Sequence, residues 1–160
     1  MRNGRCDFYA VSNTDRPVRR RRDVARPVRT ANTNSKEPFV AKECFGSAPV
    51  PLSPAVRAGD FIFVSGQVPV GPDGELVGGN VGNQTRQVLK NVEAALKLAG
   101  AELSDVVKTT VWLDDARDFA AFNKAYGEFF PSEPPARTTA ESRLMADIKV
   151  EIEAIAYKPR

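Results

Sequence analysis

The sequence predicts an α+β domain with the element order β-α-β-α-β-β and both helices on one face of a single sheet. Two observations support this prediction. Two amphipathic helical segments are separated by a short apolar strand, and the final strand alternates apolar and charged residues. A length of 160 residues is sufficient for one globular domain with a modest core, so we expect a single folded domain.

The first 34 residues are predicted to be a disordered extension, because they carry nine Arg and three Asp and lack apolar periodicity. Three interpretations remain open: an arm for nucleic acid or a membrane surface, an organelle transit peptide, and an upstream extension with no part in the fold. The three Asp residues weigh against a transit peptide. We place the domain at residues 35–160.

The domain carries a net charge of −3, so it offers no basic face and we do not expect it to bind nucleic acid. No apolar run is long enough to cross a membrane, and the first residues lack the pattern of a basic start, an apolar run and a small-residue cleavage site, so we expect a protein that is not secreted. Both cysteines, Cys6 and Cys44, are expected to precede the folded region, which excludes a disulfide framework within it. These features favour a reducing, cytoplasmic location.

The chain contains no histidine, which removes the commonest general base and the commonest metal ligand. It also lacks the short motifs that bind dinucleotides, nucleoside triphosphates or cysteine-held metals. We therefore expect no metal and no organic cofactor, and acid–base chemistry is left to carboxylates, Lys or Tyr.

The first half of the domain begins with a Pro-rich segment, residues 37–54, which is expected to be extended and to lead into one edge of the sheet. The apolar run at residues 61–65 predicts a buried strand. A turn at Pro72-Asp73-Gly74 leads to a helix over residues 82–99, which Gly100 ends.

The second half begins with a strand at residues 106–113, after which Asp114 and Asp115 are candidate N-caps for an aromatic-rich helix that Pro131 ends. Two further strands are predicted at residues 137–141 and 148–157. Because both helices are expected on one sheet face, the other face is uncovered, and we expect oligomerisation to cover it.

Several strings in this order resemble the Rid family of reactive intermediate deaminases, also called YjgF-like. They are AGDFIFVSGQVPVGPDGELV, QTRQVLKNVEAAL, LSDVVKTTVWL, FAAFNKAYGEFF, PPART and VEIEAIA. The resemblance implies a fold similar to the barrel-forming chorismate mutases. It also implies a homotrimer that packs its sheets into a central barrel and binds ligands between subunits.

Two residues are the candidate catalytic groups, Arg137 and Glu151. Arg137 begins a strand after a rigid turn, where a guanidinium can fork onto a carboxylate, although a strand-end Arg is more often an ordinary ion pair. Glu151 on its own is typical of a solvated sheet face or an interface salt bridge. The resemblance instead implies that Arg137 binds the substrate carboxylate and that Glu151 holds and activates a water molecule.

Five further positions are candidate substrate contacts by the same resemblance. Ser65 and Gly66 would offer backbone groups, and Asn123 would enter from the neighbouring subunit. Thr139 stands where many members have Cys, and Leu52 stands where members with deaminase activity usually have Tyr. Phe119 is a weaker candidate, since an aromatic residue at helical spacing is more often part of the core.

The resemblance implies hydrolytic deamination of 2-enamine or 2-imine acids to 2-keto acids and ammonia, with the small-molecule acid as the partner. One alternative is a larger enamine such as 2-aminomuconate, because Leu52 makes the cleft more apolar. Another is a regulatory trimer that binds a 2-keto acid without catalysis. Ribonuclease activity, also attached to this family, agrees least with an acidic domain that lacks histidine.

Overall fold

The computed structural model describes residues 42–160, which form one six-stranded sheet and two α-helices. The predicted α+β class with two helices is confirmed. In chain order, the elements are β1 (Glu43–Phe45), β2 (Ala55–Ala58), β3 (Phe61–Gln67), α1 (Val81–Leu98), β4 (Val106–Leu113), α2 (Phe119–Gly127), β5 (Ala136–Glu141) and β6 (Val150–Tyr157).

The strands lie in the order β1-β2-β3-β6-β4-β5. Every neighbouring pair is antiparallel except β4 and β5, which run parallel at one edge of the sheet. The C-terminal strand β6 is therefore central, and β4 separates it from β5. The candidate site residues Arg137 on β5 and Glu151 on β6 are therefore on strands that are not neighbours.

Helix α1 begins at Val81, one residue before its predicted start, and the Asn80 side chain caps it by accepting a hydrogen bond of 3.0 Å from the Asn83 backbone N–H. Gly100, just beyond its end, has a φ of +75°, a conformation that glycine adopts without steric cost. A 3-10 turn, Ala116–Asp118, precedes α2, and the Asp115 side chain caps that turn.

Both helices pack on the same face of the sheet. Along β6, alternate residues from Val150 to Ala156 are buried in one cluster with the apolar faces of α1 and α2. The opposite face, here called the open face, carries partly exposed apolar side chains that include Phe61 (44%), Phe63 (44%) and Tyr157 (45%). An apolar face this exposed is typical of a surface that another chain covers.

Three details differ from the sequence expectations. The Pro-rich segment contains a short strand, β1, and leads into a second one, β2, because extended backbone at a sheet edge pairs readily with its neighbour. Cys44 lies in β1, so the expectation that it precedes the folded region is wrong. Strand β6 begins at Val150 rather than at residue 148.

The Arg-rich extension and the predicted domain boundary at residue 35 lie outside the described residues, and both stay predictions. Within residues 42–160, no helix combines the length and the apolar character that a membrane crossing requires.

Candidate active site

Arg137 lies at the start of β5, directly after the turn made by Pro134 and Pro135. Its Nη2 donates a hydrogen bond of 2.7 Å to Asn123 Oδ1 on α2. Its Cζ lies 4.8 Å from the ring centroid of Tyr126 and 5.2 Å from that of Phe122. The guanidinium is therefore held by one amide and by aromatic rings, at the edge of an open cleft of 420 Å³.

No carboxylate among residues 42–160 lies within 4.0 Å of Arg137. Within the described part of the chain, the interpretation of Arg137 as an ordinary strand-end ion pair is therefore wrong. Because one hydrogen bond to Asn123 leaves further guanidinium N–H groups available, the side chain retains the donors that a bidentate contact to a carboxylate requires.

Glu151 lies on β6, on the open face of the sheet. Its carboxylate lies so close to Gly66 that a Cβ at that position would overlap Oε1 and approach Cδ to 3.1 Å. Within residues 42–160 the carboxylate has neither a hydrogen-bond donor nor a cation as partner. Partial burial, with a smaller contribution from the charge of Glu153, raises the pKa of Glu151 above the usual value for glutamate. A carboxylate with a raised pKa is suited to accept a proton from water.

Ser65 directly precedes Gly66 in β3, and a hydrogen bond links it to the segment that contains Leu52. The Ser65 hydroxyl donates a hydrogen bond of 2.7 Å to the Ser53 carbonyl oxygen, which ties the end of β3 to the segment before β2. Leu52 directly precedes Ser53 in the chain and is 47% exposed. Ser65, Gly66 and Glu151, together with Leu52 as the residue next to Ser53 in the chain, are what we call the carboxylate set.

Arg137, Asn123 and Thr139 form a second group, which we call the arginine set. Arg137 and Thr139 are two residues apart in β5, so their side chains lie on the same face of the sheet, which is the face toward α2. The Thr139 hydroxyl is buried and has no hydrogen-bond partner among residues 42–160. Asn123 lies on the same chain as Arg137 and accepts its hydrogen bond, so the two residues belong to the same copy, and the entry of Asn123 into a cleft shared with a neighbouring subunit stays a prediction.

The two sets lie on opposite faces of one sheet. Arg137 pairs with Thr109 of β4, which is fully buried beneath the helices, whereas Glu151 pairs with Trp112 of the same strand. Thr109 and Trp112 are three residues apart in β4, so their side chains lie on opposite faces of the sheet, and the residues paired with them do the same. Within one chain, therefore, Arg137 and Glu151 line different clefts.

Two residues that surround the candidate catalytic groups were not predicted from the sequence as site residues. Tyr126 is the ring nearest to the Arg137 guanidinium, although its spacing on α2 suggests only a core residue. Trp112 lines a small cleft with Glu151, and its place in an apolar strand gives no signal of that role. Phe119, the weaker candidate, lies 5.7 Å from Arg137 Cζ and also packs against the core.

The chain matches a known family over most of its length. The sequence profile of the family described as Endoribonuclease L-PSP matches residues 45–158. A RutC family protein of Pyrococcus horikoshii is 50% identical over 117 residues, which cover 70% of this chain and 93% of the relative. The 2-iminobutanoate/2-iminopropanoate deaminase of Escherichia coli is 43% identical over 119 residues, with coverages of 70% and 93%.

A solved structure agrees with these sequence matches. The crystal structure of Escherichia coli TdcF with bound serine superimposes with a TM-score of 0.68 at 36% identity, and the match covers 72% of this chain and 99% of the other. The fold and the order of the motifs therefore agree with the sequence identity. This chain belongs to the L-PSP family, whose members are also called YjgF or Rid proteins.

Proposed function

We propose that this protein hydrolyses 2-imino acids, and the 2-enamino acids that tautomerise to them, to 2-keto acids and ammonia in the cytoplasm. The observation that carries the proposal is the state of the two candidate catalytic groups. Within the described residues, Arg137 is an oriented guanidinium without a carboxylate, and Glu151 is a half-buried carboxylate without a cation. The deaminase name of the Escherichia coli relative supports the same chemistry.

The proposed site is completed by a second copy of the chain. Because the arginine set and the carboxylate set lie on opposite sheet faces, one copy must supply Arg137, Asn123 and Thr139 and another must supply Ser65, Gly66, Glu151 and Leu52. The exposed apolar side chains of the open face support such an association. A cyclic homotrimer would repeat this contact between copies three times, so that every arginine set would meet a carboxylate set.

The chemistry needs only positioning and proton transfer. Arg137 binds the substrate carboxylate while Glu151 removes a proton from a water molecule as its oxygen bonds to the imine carbon. Protonated Glu151 passes this proton to the imine nitrogen, which gives a neutral carbinolamine. The hydroxyl proton then moves through Glu151 to the nitrogen, so the C–N bond breaks with release of ammonia as the carbonyl of the 2-keto acid forms, and Glu151 returns to its ionised state.

The direct test generates 2-iminopropanoate in situ with an amino-acid oxidase and measures the rate of imine loss and of ammonia release. We expect the wild-type protein to accelerate both above the spontaneous rate. Arg137→Lys is expected to abolish the acceleration, because lysine keeps the charge but not the planar fork. An identical decay rate with and without wild-type protein would refute the proposal.

Leu52 favours one second candidate function, which is binding of a 2-keto acid without catalysis. An aliphatic side chain cannot donate a proton to a leaving group, so this protein has one possible proton donor fewer than family members with Tyr at this position. Calorimetric titration with 2-oxobutanoate, run beside the imine assay, separates the candidates. Tight binding without any acceleration of imine loss would support the binding function.

A further inference from the structure

Tyr126 makes two contacts that together link Arg137 to the centre of the sheet. Its ring centroid lies 4.8 Å from Arg137 Cζ, and its hydroxyl lies 2.8 Å from Thr109 Oγ1 on β4. Thr109 is fully buried, and it is also the residue that pairs with Arg137 across the β4–β5 ladder. The ring is therefore attached to the same part of the sheet from which the guanidinium projects.

Of the three rings beside Arg137 in the described part of the chain, Tyr126 is the nearest and is the one that also carries a hydrogen-bonded hydroxyl. Tyr126 stacks against Phe122 at 5.4 Å and against Phe130 at 4.8 Å between ring centroids, and only 5% of its surface is exposed. Burial raises the pKa of its hydroxyl, so the ring stays neutral beside the cation. A neutral ring attracts a guanidinium through its π face without neutralising it.

This contact differs from an ion pair in its effect on ligand binding. A carboxylate partner would orient Arg137 but would also compete with the substrate carboxylate for the same N–H donors. An aromatic face restricts the guanidinium and leaves those donors free. Asn123 uses one donor, and no carboxylate among the described residues uses the others.

We propose that Tyr126 is a positioning residue for substrate binding: its ring, anchored through its hydroxyl to Thr109, holds the Arg137 guanidinium in the orientation that receives the substrate carboxylate. This inference rests on the proposed function, since it assigns Arg137 to that carboxylate. It predicts that loss of the ring weakens substrate binding more than it slows the chemical step, because the carboxylate is bound alike in the ground state and the transition state.

The experiment compares Tyr126→Leu and Tyr126→Phe with Phe129→Leu in the full-length protein. Phe129 also packs against the core, but it lines a different cleft, so Phe129→Leu is a matched control for lost aromatic packing. Tyr126→Met serves as a second ring-removing variant if Tyr126→Leu fails to fold, since Met adapts to irregular cavities. Tyr126→Phe keeps the ring and removes only the hydroxyl.

Two readouts are measured for each variant. The first is the NMR resonance of the Arg137 Nε–Hε group, which is identified by its absence from the spectrum of Arg137→Lys. The ring currents of the neighbouring aromatic rings displace this resonance from the position of a free arginine. The second is the separation of KM from kcat in the imine assay. We expect ring removal to return the resonance toward the free position and to raise KM about tenfold, as loss of a partly buried cation–π contact implies, with kcat little changed.

Phe129→Leu is expected to retain the resonance position and KM. Tyr126→Phe is expected to lie between the wild type and Tyr126→Leu in both readouts, because it keeps the ring but loses the hydroxyl that anchors it to Thr109. An unshifted resonance or an unchanged KM in a folded ring-removed variant would overturn the inference. If the wild-type protein releases no ammonia, the proposed function fails, whereas the resonance alone still decides whether Tyr126 positions Arg137. The two failures are therefore distinguishable.

Discussion

The carboxylate of Glu151 occupies the space that a side chain at Gly66 would need. Gly66→Ala should therefore displace the proposed base, and we expect kcat/KM to fall at least about tenfold, because a misplacement of about 1 Å can cost about 100-fold. Gly78→Ala is the control, since a Cβ there meets no atom within 4 Å. Full activity in Gly66→Ala would show that the position of Glu151 does not matter.

The raised pKa of Glu151 determines the expected pH dependence. The proposed base acts in its ionised form, so kcat/KM should fall as the pH drops through a pKa above the usual glutamate value. Glu153→Gln removes a neighbouring negative charge, which lowers the pKa of Glu151 and should move this acid limb to lower pH. Burial is the larger cause of the raised pKa, so the pKa of Glu151 should stay above the usual glutamate value in Glu153→Gln.

Profiles of kcat/KM across the acidic range for both proteins test this expectation. A movement of the acid limb to higher pH in Glu153→Gln, or an unchanged limb, would contradict the assignment of Glu151 as the titrating group.

Mixing two inactive variants tests whether the site needs two copies of the chain. Arg137→Ala and Glu151→Gln should each be inactive alone. After joint unfolding and refolding in equal amounts, random cyclic assembly should rebuild about one quarter of the wild-type sites. Native size-exclusion profiles provide the control for assembly. Persistent inactivity of the refolded mixture, despite mixed assembly, would place Arg137 and Glu151 outside any shared site.

Leu52→Tyr tests the effect of the missing phenol. We expect a higher kcat for small imines, since a phenolic hydroxyl can donate a proton to the proposed reaction and an aliphatic side chain cannot. Leu52→Phe is the matched control, because it adds the ring without the hydroxyl. Equal rates for the two variants, measured with 2-iminopropanoate, would show that the phenol contributes no proton.

Arg57 provides a stability prediction that is separate from activity. It is 7% exposed, and it donates hydrogen bonds of 2.9 Å to the Lys158 carbonyl and 3.0 Å to the Ala99 carbonyl. Arg57→Met leaves these carbonyls unpaired and should lower the free energy of unfolding by about 1–3 kcal/mol, measured in urea. Kinetic constants should stay near wild type, and a large change in KM would link Arg57 to the site.

Much of the fold was predictable because its periodicity is local. The alternation along β6 and the apolar face of α1 both follow from the spacing of side chains in the chain, and both elements lie close to their predicted positions. Strands β1 and β2 were not predicted as strands. Both are too short to show a periodic signal, and only pairing makes them part of the sheet, β2 with β3 and β1 with β2.

The candidate site was predictable in identity but not in arrangement. The residue types of Arg137 and Glu151 and their positions in family-like strings mark them as candidates, whereas the face on which each lies depends on the β4–β5 and β4–β6 registers. Tyr126 gives the opposite case. Its helical spacing predicts burial, but only packing against β5 places its ring beside the guanidinium.

The sequence by itself determined the fold class, the family and the residues capable of chemistry, because these follow from local periodicity and from the chemical properties of side chains. Only the tertiary structure decided that Arg137 and Glu151 lie on opposite faces of one sheet, since strand order and register join residues that are distant in the chain. Those long-range pairings turn a list of candidate residues into two half-sites.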